Sequence, residues 1–62
     1  MDFTDSLIWL TDSLHMPLVR AVRALMDAIR NKVTVTYHRD RSGLLVFYRV
    51  SWHRNYWNIE EI

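Results

Sequence analysis

Phe3, Leu7, Leu10 and Leu14 recur at intervals of four, three and four, a spacing that gathers them into one stripe of a helix about three turns long. Asp2 or Thr4 can cap its start, and acids in the first turn suit the positive end of the helix dipole. Pro17 has a fixed φ and no N–H, so it opens a second helix and breaks the first at His15-Met16. Leu18, Val22, Leu25 and Ile29, widened by Val19 and Met26, form the apolar stripe of that helix over 17–31, with Arg20, Arg23, Asp27, Arg30 and Asn31 opposite. After Asn31 the period falls to two. Val33, Val35 and Tyr37 alternate with Lys32, Thr34, Thr36 and His38, then Asp40-Arg41-Ser42-Gly43 supplies a turn before a β-rich run over 44–53. A four-residue loop at 40–43 predicts Tyr37 opposite Val46, Val35 opposite Tyr48 and Val33 opposite Val50, all six facing the helices. Arg54-Asn55 can turn the chain once more, setting Trp57 opposite Trp52, Ile59 opposite Val50 and Glu60 opposite Arg49.

The resulting fold class is α+β, in the order α-α-β-β-β, with two N-terminal helices on one face of a two- to three-stranded antiparallel meander. In that register the uncovered face carries Lys32, Thr34, Thr36 and His38 from one strand, Leu45, Phe47, Arg49, Ser51 and His53 from the next, and Tyr56. A chain of 62 residues with 50% hydrophobic residues, one Gly and one Pro describes a single packed domain over 1–62 rather than a linker. Without cysteine it has neither a disulfide nor a thiolate zinc site, so stability comes from dense packing, a partner or self-association. No apolar run approaches the ~20 residues of a transmembrane helix. The acidic opening Met1-Asp2-Phe3-Thr4-Asp5 is unlike a secretory leader, which points to a cytoplasmic protein with no membrane partner.

The net charge of +1 is unevenly spread. Residues 1–19 hold Asp2, Asp5 and Asp12 without a Lys or Arg, whereas residues 20–41 hold Arg20, Arg23, Arg30, Lys32, Arg39 and Arg41 against Asp27 and Asp40. Catalysis has little to build on. His38 and His53 share the outer face in this register but stand on the order of 25 Å apart at ~3.3 Å per residue, and no acid is placed to orient a Ser51–His53 pair. The expectation is therefore a non-enzyme, with no catalytic residues, metal site or cofactor.

Two kinds of contact remain. A helix, a short turn, a second helix bearing Arg20 and Arg23 near its start, and a hairpin tipped by Arg39-Asp40-Arg41-Ser42-Gly43 before Leu44-Leu45-Val46-Phe47-Tyr48-Arg49-Val50 resemble, over residues 5 to 50, part of a winged helix-turn-helix domain. The resemblance implies a DNA- or RNA-binding regulator whose second helix enters the major groove and whose wing touches phosphates. Arg20, Arg23, Arg30, Lys32, Arg39, Arg41 and Arg49 are its candidate contacts. The outer sheet face offers a variant of the same reading, with Phe47 and Tyr56 stacking on bases beside Lys32 and Arg49.

The protein-binding reading starts from large apolar residues outside the predicted core. Ile8 and Trp9 flank the first helix's stripe among Asp5 and Asp12, a composition suited to an aromatic anchor with a charge-selective rim. Leu45 and Phe47 lie on the uncovered sheet face, where they can bind a partner or pair two copies as a homodimer. This reading comes first: a small non-catalytic regulator, of the kind that phages and mobile elements encode, docking on a larger host protein. Nucleic-acid binding is the alternative.

Overall fold

The computed structural model describes all 62 residues. The first helix, α1 (Phe3–Ile8), starts at Asp2, whose carboxylate accepts from the Asp5 backbone N–H at 2.8 Å. It then widens into a π-helical turn over Trp9–Ser13 rather than ending. There the Thr11 hydroxyl donates to the Leu7 carbonyl, and Leu10 is brought fully into the core. His15 adopts a positive φ of 58° and Met16 is buried. Pro17 caps α2 (Leu18–Asn31), one residue from the expected start.

The face that α2 turns to the sheet differs from the expected stripe. Ala21, Ala24, Leu25 and Ala28 are buried, whereas Leu18 and Val19 are 60% and 79% exposed, and Met26 and Ile29 are also exposed. At 100° per residue, one flank of the broad apolar arc is made of alanines. Small side chains let the helix axis approach the sheet closely, and the core takes that flank. Leu18, Val19, Met26 and Ile29 are left on the other flank.

Strands β1 (Val33–Arg39), β2 (Leu45–His53) and β3 (Tyr56–Glu61) form an antiparallel sheet in the order β1-β2-β3. The fold is thus α+β, two helices against a three-stranded meander. Trp57 pairs with Trp52, Ile59 with Val50 and Glu60 with Arg49, in the register expected for β3. On the helix side, Leu10, Met16, Leu25, Val50 and Trp57 form the core with the three alanines. Met1 joins the far edge, exchanging two backbone bonds with Trp57.

The β1–β2 register corrects the sequence reading by one residue. Val35 pairs with Arg49, Thr36 with Tyr48, Tyr37 with Phe47 and Thr34 with Val50. The cause is the turn. Asp40 N–H donates to the Leu44 carbonyl and Gly43 N–H to the Asp40 carbonyl, so the loop proper is Arg41-Ser42-Gly43 with Gly43 at φ 87°. A three-residue loop with a left-handed last residue is a preferred hairpin connection, and the Asp40 carboxylate reinforces it by accepting from Ser42 N–H, Ser42 Oγ and Leu44 N–H. Because side chains alternate, one residue of slip reverses the whole strand. Thr34, Thr36 and His38 turn toward the helices, and Val33, Val35 and Tyr37 turn away.

Nothing lies within 4 Å of where a Gly43 side chain would begin, so the demand there is conformational rather than steric. Gly43→Ala should therefore destabilise the hairpin by about 1 kcal/mol. Ser42→Ala, which removes one of three bonds to an exposed carboxylate, should cost less. Urea melts followed by circular dichroism measure both.

Candidate functional site

The register places five apolar side chains on the face that no helix covers. Val33, Val35 and Tyr37 from β1 and Leu45 and Phe47 from β2 are each 42 to 56% exposed. They are contiguous, since Tyr37 stands directly opposite Phe47 with ring centroids 6.4 Å apart. Leu45 and Phe47 lie on this face as expected, and Val33, Val35 and Tyr37 join them contrary to expectation. The pattern hid these three because an alternating strand shows two faces without showing which one is inward.

The surround is polar and of both signs. Arg49 and Glu60 form the molecule's one ion pair, at 3.3 Å, from opposed positions on β2 and β3. His53 stacks on Tyr56 at the far end of the same face. Arg39 donates to the Gly43 carbonyl at 2.9 Å, fixing its guanidinium over the hairpin. On the β1 side, Arg20 reaches from α2 to lie 4.4 Å from the centre of the Tyr37 ring, a cation–π contact.

The helical candidates are distributed differently. Asp5, Ile8 and Asp12 are exposed. Trp9 is half-buried and meets the buried Tyr48 edge-on at 6.1 Å, so its ring closes one edge of the core and only part of it faces solvent. Of the basic residues, Arg20 and Arg23 border an open groove of about 420 Å³ between α2 and β1, together with Val19, Ala24, Asp27 and Val35. Arg30 is exposed in the last turn of α2, Lys32 ends that helix at φ 70°, and Arg41 is exposed on the hairpin loop.

A second cleft, of about 520 Å³, opens between the interhelix turn and the hairpin. His38 lines it beside His15, Ser13, Asp40 and Tyr48, so His38 is on the face opposite to the one expected, and its Nδ1 is buried without a hydrogen-bond partner. Burial, then the negative charges of Glu61 and Asp40, raise the Tyr48 pKa. The Ser42 hydroxyl bond leads the effects that hold the Asp40 carboxyl below its ordinary value. Asp40 is thereby committed to the loop. No helix of the chain is long and apolar enough to cross a membrane. Compared with protein-family models, curated proteins and solved structures, the chain matches none.

Proposed function

We propose that this protein is a small non-catalytic regulator that docks on a larger protein through the outer face of its sheet. The observation that carries the reading is the contiguous apolar patch of Val33, Val35, Tyr37, Leu45 and Phe47 on a sheet face with no covering element. A patch of aliphatic and aromatic side chains with a mixed-charge rim has the anatomy of a protein interface, apolar in the middle and polar around. Its two aromatics, Tyr37 and Phe47, lie against one another and are suited to be anchors, because an aromatic buries much area for few rotatable bonds. Three aliphatics among them favour a protein partner over nucleotide bases, which stack on rings but gain little from Val and Leu.

The test compares the wild type with a Tyr37→Ser/Phe47→Ser variant whose circular dichroism is unchanged. Immobilised wild type should retain a protein from nuclease-treated extract of its native host through elevated salt. The double variant should lose it, since removal of a central anchor costs about 2 kcal/mol or more, roughly 30-fold in affinity. Arg30→Ala with Arg41→Ala, both exposed and away from this face, should leave retention unchanged. A partner that disappears on nuclease treatment, with binding that falls steeply in salt and depends on the arginines, would replace this reading with the nucleic-acid one.

A further inference from the structure

The edge of β1 is open. Lys32 accepts from Trp52 N–H at one end of the β1–β2 ladder, and Asp40 donates to Leu44 at the other. The even-numbered residues of β1 therefore face β2 with their N–H and C=O groups, and the odd-numbered ones face outward. None of Val33, Val35 or Tyr37 has a backbone partner on that outward side. The opposite edge differs, because Met1 pairs there with Trp57.

We propose that a second copy of this chain occupies that edge, the two β1 strands pairing antiparallel about a two-fold axis at Val35 to make one six-stranded sheet. The sequence of the edge is self-complementary in this arrangement. Val35 pairs with Val35 of the second copy, and Val33 with Tyr37 on either side, each pair exchanging two backbone bonds between groups that are otherwise unpartnered. Every cross-strand contact on the outer face then joins apolar side chains.

The charges beside the edge match the same symmetry. Arg23 and Asp27 line the groove between α2 and β1, and neither is in an ion pair, although they stand four apart on one helix. Asp27 is half-buried there and accepts no hydrogen bond. From Lys32, three residues along β1 and seven back along α2 both span about 10 Å, at ~3.3 and ~1.5 Å per residue, so the axis at Val35 passes level with Leu25. Arg23 and Asp27 lie equally far to either side of that level. A two-fold reverses the helix direction and brings Asp27 of each copy toward Arg23 of the other. Arg20, the third charge of the groove, is held over the Tyr37 ring; the remaining unpaired pair of opposite sign, symmetrically placed, fits a second copy better than a partner of one sign. The pairing also joins the two outer patches into one surface, and it stands whichever partner that surface binds.

Sedimentation equilibrium of the full chain from micromolar to millimolar concentration should show a monomer–dimer equilibrium. Val35→Pro removes an N–H that the β1–β2 ladder does not use, so it should give a folded monomer; Val35→Lys, placing two like charges on the axis, should do the same if the proline disturbs β1. Arg23→Asp should weaken the dimer about tenfold or more by setting like charges together, and Arg23→Asp with Asp27→Arg should restore it. A wild type monomeric throughout would overturn the proposal. So would a dimer indifferent to both Val35 variants, or one dispersed only by Phe47→Ser, which would put the contact on the outer face instead.

Discussion

Trp57→Ala is expected to remove about 3 to 5 kcal/mol of stability, enough to leave much of the population unfolded at ambient temperature in a domain whose total lies near the low end of 5 to 15 kcal/mol. The Trp57 side chain reaches α1, β2 and α2 at once. Its ring meets Phe3 of α1 edge-on at 5.5 Å and Trp52 of β2 at 4.5 Å. Its Nε1 donates to the Leu25 carbonyl of α2 at 3.1 Å, and its backbone pairs with Met1. Truncation therefore loosens the contact of both helices with β3 at once. Trp57→Phe separates the contributions: it keeps an aromatic body between Phe3 and Trp52 but loses the buried hydrogen bond, for a smaller cost of about 1 kcal/mol. Urea midpoints from far-ultraviolet circular dichroism should rank wild type, Trp57→Phe and Trp57→Ala in that order.

The second large effect is at Leu25. It is wholly buried, at 0% exposure, in the alanine-rich face of α2, so Leu25→Ala should lose about 2 to 5 kcal/mol. The neighbouring alanines make the upper part of that range the expectation, since they offer no bulk to collapse into the vacated space. Leu18→Ala, on the exposed part of the same predicted stripe, should change stability by less than about 0.5 kcal/mol. A thermal melt that finds the two leucines equivalent would mean that α2 faces the sheet with its large residues. The Leu25 and Trp57 changes should not add, because the two side chains belong to one buried cluster and would open adjoining space.

Contrasts of this kind show which parts of the architecture were legible. Pro17 and the change of period after Asn31 located both helices and the start of the sheet, because a missing N–H and a two-residue alternation have local causes. The β2–β3 register was legible too, since the Trp52–Trp57 and Arg49–Glu60 pairs agree with a tight turn at Arg54-Asn55. The β1–β2 register was not, because hydrophobic pairing favoured one loop length and the hydrogen bonds of Asp40 and Gly43 favoured another. Turn chemistry prevailed at an edge strand, where small Thr34 and Thr36 suffice beneath the alanines of α2. The face of α2 was misjudged for a related reason: periodicity counts large apolar residues, while close packing selected small ones. Leu45 and Phe47 are legible as surface residues, but the patch to which they belong depends on the β1–β2 register, which puts Val33, Val35 and Tyr37 beside them. The size of Trp9 and its acidic neighbours mark it in the sequence, whereas its edge-on contact with Tyr48 depends on tertiary packing that no local pattern shows.

The register of β1 is the claim on which both the docking face and the paired edge depend. The chain lacks cysteine, so single cysteines introduced by Thr34→Cys, Val35→Cys, Thr36→Cys and Tyr37→Cys can be followed with a thiol reagent under native conditions. At concentrations low enough to keep the chain monomeric, Val35→Cys and Tyr37→Cys should react fast, while Thr36→Cys should be strongly protected and Thr34→Cys intermediate. Fast labelling at Thr34→Cys and Thr36→Cys with protection at Val35→Cys and Tyr37→Cys would turn the strand back over and contradict the account.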